Sequence, residues 1–232
     1  MKLSKAFIVL LFSIAVAGLV YAGMEKEDDS LNKLLDGNKR FVSGEPAKKD
    51  TGDSRRQELT KGQHPFAIVL SCADSRVPPE LVFDQGLGDI FIIRVAGNVV
   101  EPTTLGSIEY GAEHLHSPLL VILGHEQCGA VKATLEAKGK PEGNIGAILK
   151  KIMPAVNTAK KAKKGPEDTL DLAIKENVKN TYKQVMKSKI ISELVHEGKL
   201  KILGAEYYLG TGKVEIIDLA SASSEKGHKG HH

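Results

Sequence analysis

The chain holds only two cysteines, and each stands among residues that could share its chemistry. Cys72 opens the run Cys72-Ala73-Asp74-Ser75-Arg76, and Cys128 closes the run His125-Glu126-Gln127-Cys128. Two thiolates and one imidazole are a borderline-soft donor set that suits zinc, and three protein ligands leave a fourth tetrahedral position for water. Such a centre points to catalysis more than to scaffolding. Asp74 has two roles open to it. It could occupy the fourth position itself, or pair bidentately with Arg76, leave the metal open to water and accept the proton of a bound hydroxide. The plain alternatives are a salt bridge that only stiffens a loop and a disulfide between Cys72 and Cys128, the ordinary pairing in an exported chain.

For these groups to meet, the chain must bring their loops to one edge of a sheet. Residues 66–70, 90–93 and 119–123 are short, continuously apolar runs, which fit strands buried on both faces of a parallel sheet. Cys72 then lies just past the end of the first strand, and His125 and Cys128 just past the end of the third. That is the edge at which open parallel sheets form ligand sites. Helical stretches are expected over residues 103–114, from near Cys128 to Leu135, and over 145–162 and 170–197. Strands alternating with helices imply crossover units. Residues 201–208 and 214–217 flank Gly210-Thr211-Gly212 and read as a hairpin. Upstream, residues 29–42 place Leu31, Leu34, Leu35 and Phe41 near one helical face, and a second helix runs into Gly62. The predicted fold is α/β: a mostly parallel central sheet flanked by helices, with amphipathic N-terminal helices and a C-terminal β-hairpin.

Met1, Lys2 and Lys5 precede an apolar stretch over residues 6–20 and the small-residue pattern Val20-Tyr21-Ala22, which reads as a secretory signal peptide cleaved after Ala22. The apolar run is short against the roughly 20 residues needed to span a bilayer, so no stable membrane insertion is expected after cleavage. The expected home is exported, periplasmic or secreted. Loss of Lys2 and Lys5 lowers the formal charge from +3 to +1, and no basic patch suggests nucleic acid. Residues 23–220 are read as a single domain, and 221–232, with His228, His231 and His232, as a disordered tail.

The two chemical runs together resemble a known family. Ser71-Cys72-Ala73-Asp74-Ser75-Arg76-Val77 and Gly124-His125-Glu126-Gln127-Cys128-Gly129-Ala130 closely resemble the two zinc motifs of the β-class carbonic anhydrases. Arg94-Val95-Ala96-Gly97-Asn98 and Gly37-Asn38-Lys39-Arg40-Phe41 are similar to that family as well, and the likeness runs from about residue 34 to residue 218. The resemblance implies one zinc per chain on Cys72, His125 and Cys128, with Asp74 and Arg76 as its dyad. The implied activity is reversible hydration of carbon dioxide to bicarbonate and a proton through zinc-bound hydroxide. Because two thiolates cancel the formal charge of the ion, it should acidify water less than a three-histidine zinc does, and the rate should rise through mildly alkaline pH. Relatives with the same ligands hydrolyse carbon disulfide or carbonyl sulfide, and a non-catalytic zinc or disulfide binding module is the remaining alternative.

The same resemblance assigns Gln63 to the substrate, its amide donating to a bound oxygen, and Phe91 and Tyr110 to the pocket wall. It implies the plant-like catalytic subtype and a homodimer or homotetramer, with residues of both chains lining each pocket. Without it, Gln63 reads as a polar loop residue, Phe91 as strand core and Tyr110 as helix packing.

Overall fold

Alternation along two apolar runs decides how this protein layers itself. In a computed structural model describing residues 28–139, 141 and 143–219, the runs form β1 (Ala67–Ser71) and β3 (Leu119–His125), buried along their whole length. Val69, Val121 and Leu123 face one side, where Leu34 of the helix over residues 28–43 (α1) and Val82 and Phe83 pack on them. Ile68, Leu70, Leu120 and Ile122 face the other and gather Ile108, Val178, Val185 and Ile191. Both faces are covered, as continuous apolar strands of a parallel sheet require.

The sheet has the order β2-β1-β3-β4-β5, with β2 (Ile90–Arg94), β4 (Lys201–Tyr207) and β5 (Val214–Ile217). All neighbours are parallel except β5, which returns antiparallel to β4 as the expected hairpin. One expectation is corrected: β2 is only half-buried, because it is an edge strand and has β1 on one side alone. Register brings Ser71 opposite both Arg94 and Leu123, and His125 opposite Tyr207, so the carboxyl ends of the strands lie nearly level.

The helices are α2 (Asp53–Leu59), α3 (Pro79–Val82), α4 (Pro102–Glu109), α5 (Gly129–Glu136), α6 (Ile145–Lys161), α7 (Pro166–Val185) and α8 (Lys189–His196). The helix expected over 103–114 ends in a π turn, Tyr110–His114. The stretch expected over 170–197 is two helices. It starts early, because Gly165 and Pro166 make a favourable first turn, and it breaks where the Ser188 hydroxyl caps α8 by accepting from the Ile191 N–H at 3.2 Å.

The run Gly37-Asn38-Lys39-Arg40-Phe41 locks α1 down. A Cβ on Gly37 would stand 1.8 Å from the Phe83 carbonyl oxygen, so only glycine allows this approach. The Asn38 amide donates to the carbonyls of Val82 and Gly212 and accepts from the Val214 N–H, tying α1 to the distant hairpin. Arg40 and Lys49 each pair with one oxygen of buried Asp84, which also accepts from the Ala47 N–H.

The expected signal peptide, residues 1–22, and the tail, 221–232 with His228, His231 and His232, lie outside the described residues. Among the described residues no helix is long and apolar enough to cross a membrane.

Candidate metal centre

Three chain segments converge at the carboxyl edge. Cys72 follows β1 directly, His125 is the last residue of β3, and Cys128 precedes the first residue of α5. One ligand atom from each lies within 4.8 Å of the other two, and all three side chains are buried. Cys72 and Cys128 are free thiols, so the disulfide does not form in this structure.

The polar groups here are incomplete in a way that points to a cation. His125 Nδ1 lies 2.9 Å from the Glu126 carbonyl and donates to it, which turns the lone pair of Nε2 inward. That buried Nε2 has no hydrogen-bond partner among the described residues. The Cys128 thiol, helped by His125 and the Gly97 and Asp74 N–H groups, pushes the Cys72 thiol down to about 4 against the effect of burial. Cys128 moves the other way, raised by the same neighbour and by burial. Unaided, the pair supports one thiolate. A dication between them would stabilise both and occupy the histidine lone pair, so the donor set fits zinc.

Asp74 pairs with Arg76 in the bidentate form that the sequence left as one of two options. Nε donates to Oδ1 at 2.9 Å and Nη2 to Oδ2 at 2.7 Å, while the Arg76 N–H also reaches Oδ1 at 2.9 Å. These bonds hold the carboxyl well below the usual carboxylate range. Oδ2 stands 3.9 Å from His125 Nε2, at the threshold of the metal position. The loop is braced by Arg94, whose guanidinium donates to the carbonyls of Cys72 and Asp74 at 3.1 and 2.6 Å. Nothing local in the sequence assigns Arg94 this role; its one signal is an arginine at the end of an apolar strand.

Gln63, Phe91 and Tyr110 are not brought to this cluster within the chain. Gln63 precedes β1 and Cys72 follows it, so the five residues of β1, about 16 Å, separate the two. Phe91 pairs with Ile68 at the start of the sheet, and the Tyr110 ring packs 6.1 Å from it. These two do meet each other, yet Tyr110 stays 47% exposed and Gln63 exposed. Nine residues of sequence separation is short, but a strand carries its two flanks to opposite edges.

A doubly covered parallel sheet with a Cys-His-Cys cluster and an Asp–Arg dyad at its carboxyl edge defines a class of metal site, and the comparisons agree on the family. The carbonic anhydrase family profile matches residues 67–214. A carbonic anhydrase of Mycolicibacterium smegmatis is 42% identical over 187 residues, 79% of this chain and 89% of that protein. Carbonic anhydrase 2 of Mycobacterium tuberculosis is 39% identical, covering 80% of this chain and 90% of its own. Among solved structures, Coccomyxa β-carbonic anhydrase in complex with acetazolamide superposes with TM-score 0.66 at 28% identity, over 71% of this chain and 78% of that one. A tetrameric β-carbonic anhydrase of Sordaria macrospora gives 0.65 at 26%, over 70% and 85%. The chain belongs to the β-class carbonic anhydrase family.

Proposed function

We propose that this protein catalyses the reversible hydration of carbon dioxide to bicarbonate and a proton at a zinc ion held by Cys72, His125 and Cys128. The observation that carries the reading is the convergence of the buried His125 Nε2, without a hydrogen-bond partner among the described residues, with two buried free thiols, one ligand atom from each residue lying within 4.8 Å of the others. Bound zinc would supply a Lewis acid that makes water a nucleophile, in the mildly alkaline range given the charge of two thiolate ligands. Asp74 Oδ2 accepts a hydrogen bond from the attacking oxygen and so orients it. Because Arg76 keeps that carboxyl strongly acidic, Asp74 directs the proton without carrying it away. Arg76 also keeps both carboxylate oxygens engaged, which holds Asp74 off the fourth coordination position.

The reading extends to assembly. Gln63, Phe91 and Tyr110 lie at the far edge, beside the half-buried edge strand β2, where a second chain would bring them to its own metal site. A dimer or tetramer with shared pockets accounts for the exposure of Gln63 and Tyr110, and the Sordaria neighbour is described as tetrameric. Residues 1–22 act as an export signal, placing the mature single domain in a periplasm or outside the cell.

Carbon dioxide hydration and zinc content, measured on the protein and on Cys72→Ser, test the core claim. One zinc per chain with rapid hydration, both lost in the variant, is the expected result. Equal rates in the two proteins would sink it.

A further inference from the structure

We infer that Asn177 and Thr181, on α7, are positioning residues for the metal centre, acting through the turn at Gly97. The inference rests on zinc binding at Cys72, His125 and Cys128 as proposed above. The Gly97 N–H donates to Cys72 Sγ at 3.3 Å, a bond made by backbone and therefore aimed only as well as the backbone is held. Gly97 sits at φ +72°, and a Cβ there would approach Ile152 Cδ1 to 2.6 Å and Ala130 Cβ to 3.2 Å. No other residue type fits the turn without strain and collision.

The two carbonyls of that turn are caught from the same helix. Asn177 Nδ2 donates to the Gly97 carbonyl at 2.8 Å, and Thr181 Oγ1 donates to the Asn98 carbonyl at 3.2 Å. Asn177 and Thr181 stand one helical turn apart, so a single rigid face grips two successive peptide units. Both are buried, at 1% and 3% exposure. Asn177 Oδ1 has no hydrogen-bond partner among the described residues, so the amide's bonding is directed to the Gly97 turn. An apolar residue among Ala173, Ile174 and Val178 would bury no unsatisfied amide oxygen, but it would leave the buried Gly97 carbonyl without its donor and the turn without its anchor. What the amide provides is the aim of the Gly97 N–H at a zinc thiolate. This is an outer-sphere arrangement of the kind that orients a ligand and tunes its metal.

The test compares Thr181→Val, nearly isosteric but without the hydroxyl, with Thr181→Ser, which keeps it, alongside Asn177→Leu. Each purified protein is stripped of metal, titrated with zinc against a competing chelator, and separately loaded with cobalt(II) to record its thiolate-to-metal charge-transfer band. Thr181→Val and Asn177→Leu should lose about 10- to 100-fold in zinc affinity. Their cobalt bands should shift to lower energy, since a thiolate relieved of its N–H donor gives up charge more readily. Thr181→Ser should keep wild-type affinity and band. Variants that melt earlier while affinity and band stay at wild-type values would overturn the inference and leave the zinc reading intact. Wild-type protein that bound neither metal would overturn both. Should Asn177→Leu fail to fold, the Thr181 pair still decides the matter.

Discussion

The Asp84 clamp and the Cys72–His125–Cys128 cluster are both buried and polar, yet only one of them is complete. Asp84 has a cation on each oxygen, Arg40 and Lys49, and the Ala47 N–H besides. All of these partners come from this chain, and the result is mechanical: the end of α1 and the segment after it are fastened to the turn after α3. The cluster keeps a histidine nitrogen without a partner among the described residues and two neighbouring free thiols, one pushed down and the other up by their contact. Proteins rarely bury polar groups unsatisfied. A buried polar cluster closed from within is architecture, whereas one that lacks a single dication is a site. The comparison fails if the cluster proves complete without metal, or if the clamp proves to matter for chemistry.

Stripping zinc with a chelator probes it most strongly. Hydration should fall at least about a thousandfold, since the metal contributes several kcal/mol and each 1.36 kcal/mol is tenfold. Two thiols should become titratable, and one equivalent of zinc should restore the rate. A stripped protein that stays fully active, or that yields a disulfide and no free thiol in its native state, would break the contrast.

Asp74→Asn tests the dyad at the threshold and should have a smaller effect. The ligands remain, but the amide cannot hold Arg76 through two charged bonds, and kcat should drop about a hundredfold as for loss of a positioned polar group. The sign of its pH behaviour follows from Arg76, which lowers the Asp74 pKa so that the group is ionised throughout the working range. Asp74 therefore sets no limb of the pH–rate profile. The variant should show a lower plateau with an unmoved midpoint, and a displaced midpoint would show that Asp74 itself titrates during turnover.

The legible parts of this molecule were those whose physics is local. Continuous apolar runs announced β1 and β3, and the position of Cys72, His125 and Cys128 relative to those runs announced the edge on which they meet. Asp74 and Arg76 were readable because a carboxylate and a guanidinium two residues apart have few other uses beside a thiol. Long-range order was not legible. The edge position of β2 depends on which strands pair, and a run of Ile90, Phe91, Ile92 and Ile93 looks the same in an edge strand as in a central one. Gln63 appeared near Cys72 because sequence distance ignores the length of the strand between them. Asn177 did leave a trace, an amide at a core-facing position among Ala173, Ile174 and Val178, but what it holds lies eighty residues away in the chain.

Asp84→Asn gives the smallest effect and tests the other side of the comparison. The wild-type carboxyl titrates at about 2 in the folded protein instead of its ordinary 3.8: burial raises it, but Lys49, the Ala47 N–H and Arg40 together outweigh burial. A folded pKa below the unfolded one means that the unfolded chain binds the proton more tightly. The stabilisation is therefore full above pH 4 and is lost as pH falls from there toward 2. A difference of this size corresponds to about 2 kcal/mol. Asparagine tolerates the positive φ of 48° at this position, so backbone strain does not enter the comparison. Denaturant unfolding should then show the variant about 2 kcal/mol less stable than wild type from pH 5 to 8, with the gap narrowing below pH 4 and closing near pH 2. Zinc affinity and carbon dioxide hydration should be unchanged, because the bonds that close the clamp run to Arg40, Lys49 and Ala47 and not to a ligand of the metal cluster. A stability gap that persists undiminished at pH 2 would assign the clamp to packing instead of charge. A loss of zinc affinity would show that the two clusters, one closed and one open, are mechanically joined.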